Sequence, residues 1–133
     1  MDAYKTMYYG ANEMGRIISM TVLEWCEAHK TGRTIKGNIV LHPYDINNGL
    51  CDTFAECIVR TFHDMYPNAE NFPSIMTTEE MDGMDTDFPG HYFIVYKDLF
   101  YDAEQPWGAE HWQELPVFAR HIAKEYASDK HQV

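Results

Sequence analysis

Cysteine is scarce in this chain, and its number is odd. Cys26, Cys51 and Cys57 leave one over from any pairing, which argues against a disulfide framework. Basic residues are few: ten Lys and Arg stand against 21 Asp and Glu, a formal net charge of −11. Nucleic-acid binders need a basic patch, and the cations here are scattered, so nucleic acids and anionic membranes are poor partners. No apolar run approaches the roughly 20 residues of a membrane span. No basic-then-apolar leader opens the chain either, and a cytoplasmic protein is the expectation. Internal repeats are absent.

What is present suits one folded domain over residues 1–133. Hydrophobic residues make up 45% and aromatics 14%, too many for a disordered segment. Residues 12–30 read as a helix, with Met14, Ile17, Ile18, Thr21, Val22 and Trp25 in one stripe and Thr31-Gly32 as its stop. Residues 1–10 hold Tyr4, Tyr8 and Tyr9 without periodicity, as a tail or a strand would. Short β-prone pieces follow around Thr34-Ile35 and Ile39-Val40-Leu41.

The organising stretch is NNGLCDTFAECIVRTF, residues 47–62. Asn47-Asn48-Gly49 signals a loop. From Cys51 the apolar positions Phe54, Ala55, Ile58 and Phe62 recur at helical steps, and Tyr66-Pro67 ends the pattern. Cys51 therefore falls in a first helical turn, where unpaired N–H groups and the helix dipole stabilise a thiolate. A long turn-rich loop follows over 67–90, with a short strand at Ser74–Thr77. Its acids Glu79, Glu80, Asp82, Asp85 and Asp87 do not have the spacing of a calcium loop, and no metal or cofactor is expected.

His91–Tyr96 and Leu99–Ala103 are the clearest strands, joined by Lys97-Asp98. A two- or four-residue turn there pairs Tyr96 with Leu99, which sets His91, Phe93, Asp102 and Glu104 on one face. A three-residue turn would put His91 and Asp102 on opposite faces. Gln105-Pro106-Trp107-Gly108 breaks the second strand. Pro116 opens a last helix with Val117, Phe118, Ile122, Ala123 and Tyr126 as its apolar face.

An imidazole beside a carboxylate is an oriented base. With a helix-start cysteine packed against that sheet face, Cys51, His91 and Asp102 form a triad of nucleophile, base and orienting acid. The Cys51 N–H, with Asn47 or Asn48, is the expected oxyanion donor. Glu104 lies opposite His91, and Trp107 would wall a pocket near Asp102. Singly, each of these residues is more often structural: a small core thiol, a polar hairpin pair, a packing tryptophan. Zinc on the three triad residues matches no compact motif.

This order of parts resembles the papain-like superfamily, closest to its small bacterial and viral branches, the transglutaminase-like and NlpC-type cysteine hydrolases. The likeness rests on NGLCDTFAECIVRTF and GHYFIVYKDLFYDAEQPWG, about a quarter of the chain. It departs from papain at Asp45, six residues before the cysteine, where papain has a glutamine. The resemblance implies an α+β fold with N-terminal helices packed on a small antiparallel sheet. It also implies thiol hydrolysis or acyl transfer on an amide, thioester or peptide-like bond. The partner would be a small-molecule or peptide substrate. The rival expectation is a non-catalytic acidic binding or inhibitor protein on the same fold, phage-like, that sequesters a host protein or ligand.

Overall fold

The computed structural model describes residues 3–81 and 88–131 of the chain, with side chains over 13–81 and 88–127. Asp82, Asp85 and Asp87 of the acidic loop lie outside the described residues. Among the described residues four α-helices and a four-stranded antiparallel sheet make an α+β fold. No helix among the described residues is long and apolar enough to cross a membrane.

Helix α1 runs Ala3–Glu27. Met14, Ile17 and Ile18 are buried along its stripe, and the Thr21 hydroxyl is satisfied by the Ile17 carbonyl at 2.8 Å. Trp25 meets Phe54 edge-on at 5.3 Å. A single 3-10 turn, Ala28–Thr31, follows and closes at Gly32, whose φ of 75° is the left-handed cap geometry. The helix starts well before the apolar periodicity does, so residues 3–10 are neither tail nor strand. Extending a nucleated helix costs little, and an apolar stripe is not required for it.

The β-prone pieces at 34–41 do not form strands. Ile35 and Asn38 make an isolated bridge around Lys36 and Gly37, both at positive φ. Val40 is buried, while Ile39 and Leu41 are exposed. The alternation is real, yet among the described residues no neighbouring strand takes up its backbone. The Asp45 carboxylate instead accepts the N–H groups of Leu41 (2.9 Å) and His42 (3.0 Å) and turns the chain into α2, Pro43–Asn47. Asp45 is thus a local cap.

Helix α3, Cys51–Met65, buries Phe54, Ala55, Ile58 and Phe62, the face expected of it. The sheet order is β1 (Ser74–Thr77), β2 (Tyr92–Tyr96), β3 (Leu99–Asp102) and β4 (Gln105–Ala109). Tyr96 pairs with Leu99 and Ile94 with Tyr101. Lys97 and Asp98 sit at φ 49° and 64°, the left-handed pair of a two-residue hairpin turn. β4 forms where the proline and glycine suggested a break. Among the described residues it pairs with β3 alone, as an edge strand where proline is tolerated, and a register shift opposite Phe100–Asp102 accommodates Gly108 at φ 92°.

The sheet separates two cores. Ile94, Tyr96, Tyr101 and Ala103 pack with α1 and α3 on one face. Phe93, Ala109, Leu115 and Phe118 form the core of the other, under α4 (Pro116–His131). Helix α4 buries less than its pattern implied: Phe118 is fully buried, but Ile122 and Tyr126 are 41% and 64% exposed. One turn of α4 anchors it. Ile94→Asp should therefore cost several kcal/mol, since it places an unpaired charge in the larger core. Ile122→Asp should stay within about 0.5 kcal/mol of the parent. Urea denaturation of both variants measures the contrast, and equal stabilities would contradict the two-face assignment.

Candidate functional site

The site forms where the start of α3 meets the start of β2. Gly49, at φ 120°, takes a backbone conformation that other residues resist, and the turn it makes delivers Cys51 to the first position of α3. The N-cap residue Leu50 offers no side-chain cap, and the Thr53 N–H is taken by the Asp52 carboxylate at 2.8 Å. The N–H groups of Cys51 and Asp52 are therefore the donors that stand at the positive end of the dipole.

His91 precedes β2 and is 2% exposed. Its carbonyl accepts the Thr78 N–H at 3.2 Å, which prolongs the β1–β2 ladder past its last strand pair. The ring packs against Phe93 and Phe118, with centroids 6.1 and 5.6 Å away. Nε2 lies 3.0 Å from Asp102 Oδ2. A carboxylate offers only acceptors, so Nε2 carries the proton. Nδ1 is buried and closes no hydrogen bond of good geometry; with Nε2 committed to Asp102, it is the nitrogen left for the Cys51 thiol.

Asp102, 2% exposed, is held from the other side too. Its Oδ1 accepts the backbone N–H groups of Glu104 and Gln105, both at 2.9 Å, in the tight β3–β4 turn. All of the carboxylate's bonds are thus set by local backbone or by His91. The structure brings Cys51, His91 and Asp102 together, and the sheet face shared by His91, Phe93 and Asp102 is the one the hairpin register implied.

The electrostatics follow from these contacts. Burial works to push the Cys51 thiol pKa up, and Asp52 adds to that. The hydrogen bond and charge of His91, with the Tyr92 N–H, outweigh both and hold it below the ordinary thiol value. For His91, burial alone would depress the ring. Its bonds to Asp102 and Cys51, and their negative charge, raise it instead to about 9. A thiolate–imidazolium pair is the form these shifts favour.

A cleft of about 500 Å³ opens over the thiol, lined by Cys51 and His91 with Asn47, Asn48, Thr78 and Arg120 among others. That volume is in the range of small-ligand sites. Among the described residues no group of three or more His, Cys, Asp and Glu side chains is arranged to hold a metal ion.

The remaining expected residues fall in different places. Asn48 is on the cleft wall. Asn47 is there too, but its amide donates to Glu104 Oε1 at 2.9 Å. Glu104 does not line the cleft. Its carboxylate is gripped at both oxygens by Arg120, at 2.8 and 2.9 Å. Burial opposes its ionisation, yet Arg120 and Asn47 hold its carboxyl below the usual range. Trp107 lies away from the cleft, over Gly15 of α1, where an added Cβ would come within 2.2 Å of its ring. Sequence reasoning missed Arg120, whose guanidinium also lies 5.0 Å over the Tyr44 ring. It also missed Tyr44 and the Tyr92 N–H, which reach the site through tertiary packing and carry no local signal.

Comparison with protein-family models, curated proteins and solved structures finds no match to this chain.

Two outcomes test the geometry. Iodoacetamide should alkylate Cys51 well ahead of Cys26, whose thiol is pushed up by burial and by the nearby Asp45 and Glu27. Its rate should reach half-maximum below the free-thiol value of about 8.5, as peptide mass spectrometry across pH would record. Equal, slow labelling of Cys26, Cys51 and Cys57 would contradict an activated thiol. Asp102→Asn removes the charge that favours imidazolium, so the His91 ring should titrate lower, moving from about 9 toward the ordinary imidazole value of 6.5. NMR of the ring protons reads this directly, and an unmoved titration would mean Asp102 does not set the state of His91.

Proposed function

We propose that the chain is a papain-like cysteine hydrolase or acyltransferase acting on an amide, thioester or peptide-like bond. Cys51 is the nucleophile, His91 the acid and base, and Asp102 the residue that orients His91. The observation that carries this reading is the arrangement around His91. A buried imidazole holds a carboxylate through one nitrogen and interacts with a helix-start thiol at the mouth of a cleft.

In this scheme the Cys51 thiolate attacks the carbonyl carbon, and the C–S bond forms as the carbonyl electrons move to oxygen. First-turn N–H groups of α3, that of Cys51 foremost, face the developing oxyanion. The intermediate collapses with cleavage of the bond to the leaving group, which takes its proton from the His91 imidazolium. Neutral His91 then accepts a proton from water or an acceptor nucleophile as it attacks the thioester. The acyl group leaves, and the thiolate–imidazolium pair is restored. Asn47 is less suited to oxyanion duty than Asn48 or the backbone, because Glu104 already holds its amide.

p-Nitrophenyl acetate supplies a test that needs no knowledge of the natural substrate. The native protein should release p-nitrophenolate with an initial burst and carry an acetyl group on Cys51. Cys51→Ala and His91→Ala should each lower turnover by several orders of magnitude. Cys51→Ala should melt close to native, whereas His91→Ala leaves Asp102 Oδ2 buried without its partner, should melt lower, and is assayed below its own transition. The double variant should be little worse than either, because groups that act as a unit are not additive. If both single variants are folded and as active as the parent, the thiol mechanism fails and the acidic binding-protein reading takes its place.

A further inference from the structure

The cleft over Cys51 has a charge as well as a nucleophile. Asp52 follows the cysteine in the first turn of α3, and Glu79 stands in the single turn after β1. Both line the cleft, and both are exposed. Among the described residues neither carboxylate has a cationic partner: the Asp52 side chain meets only Thr53, at 2.8 and 3.5 Å. The cation on the wall is Arg120, and Glu104 neutralises it through two bonds. A thiolate paired with an imidazolium adds no net charge, and the Asp102 carboxylate behind His91 leaves the three groups together at one negative charge.

What remains is a negative field around a buried, reactive pair. His91 is 2% exposed, and its Nδ1 meets the cleft without a well-formed hydrogen bond, so this is a built site rather than an acidic patch of surface. Two aromatic rings border it, Tyr92 at 42% exposure and Tyr44 at 51%. The Arg120 guanidinium already covers one face of Tyr44 at 5.0 Å, so Tyr92 is the ring that carries this part of the argument. Carboxylates beside exposed aromatic faces are the surroundings that favour a cation over an anion. The chain's net charge of −11 acts in the same sense at longer range.

We propose that the Cys51 cleft selects substrates that carry a positive charge, a lysine- or arginine-like group beside the scissile bond, and rejects anionic ones. The inference rests on Cys51 being the reactive nucleophile proposed above.

Charged methanethiosulfonates separate the two claims. Each reagent reacts by forming a disulfide between its thioalkyl group and the Cys51 thiolate as methanesulfinate leaves. The (trimethylammonio)ethyl, sulfonatoethyl and neutral methyl reagents are compared at Cys51 by peptide mass spectrometry, with each rate divided by that of 2-mercaptoethanol. At low ionic strength the cationic reagent should be favoured over the anionic one by about tenfold or more, the low end of electrostatic steering. High salt should collapse that ratio toward unity in the unaltered protein. The doubly neutralised variant, Asp52→Asn with Glu79→Gln, should lower the ratio several-fold at low salt; both positions are exposed, and a thermal melt checks the fold. Rapid reaction of Cys51 with no charge preference, or with an anionic one, would overturn the selection while leaving the nucleophile intact. Slow reaction with all three reagents would overturn the nucleophile, and the inference with it.

Discussion

A carboxylate and an imidazole buried against each other set the terms for the rest of this structure. Removing two ionisable groups from water costs several kcal/mol per ion once charged, and mutual attraction offsets it only when the remaining hydrogen bonds are also made. At Asp102 they are made: Oδ2 takes His91, and Oδ1 takes the two N–H groups of the β3–β4 turn. The tight turn is therefore more than a connection between strands. Phe93 and Phe118 close over the His91 ring and keep water from competing for its proton. The small core beneath α4 thus stabilises the domain and also sets the environment of His91.

The site draws on both faces of the sheet. Helix α3 packs on the face bearing Ile94 and Tyr101, whereas His91, Phe93 and Asp102 belong to the other. Thiol and imidazole can meet only where the sheet ends, and that is where α3 begins and β2 starts. The Tyr92 N–H reaches the thiol at that junction. Across it, Glu104 ties Asn47 of α2 to Arg120 of α4, while its own N–H holds Asp102. One residue thus links the cleft walls to the group that orients His91.

Legibility in the sequence followed the range of the interactions. The β2–β3 hairpin was readable because its register depends on two adjacent residues, Lys97 and Asp98, and side-chain alternation does the rest. Helix α3 was readable from its apolar repeat and from Gly49 before it. Strand β4 was hidden by Pro106 and Gly108, which signal a break unless one knows that the strand lies at an edge. Residues 39–41 have a strand's alternation but find no partner backbone, and pairing is what makes a strand. Trp107 was misplaced for a related reason. Its proximity to Asp102 in sequence said nothing about Gly15, whose missing side chain makes room for the ring on α1. Arg120 needed the docking of α4, which rests largely on Phe118.

The same negative surroundings that would favour a cationic substrate work against a thiolate at Cys51. Asp52 raises the thiol pKa, and burial of the sulfur raises it further. A thiolate at neutral pH in so acidic a chain must be stabilised locally, by groups close enough to outweigh the field. His91 and the Tyr92 N–H are those groups, and His91 can serve only while it holds its proton. Burial would strip that proton; the Asp102 carboxylate first, and the Cys51 thiol after it, restore it and lift the ring to about 9. The buried carboxylate therefore acts on the thiol at one remove: the imidazolium it helps maintain favours a thiolate beside Asp52. Were Asp102 neutral, burial would favour an uncharged ring, and the thiol would lose the cation that offsets its surroundings. In such an acidic cleft a thiolate is favoured only because the carboxylate buried behind His91 has its own bonds complete.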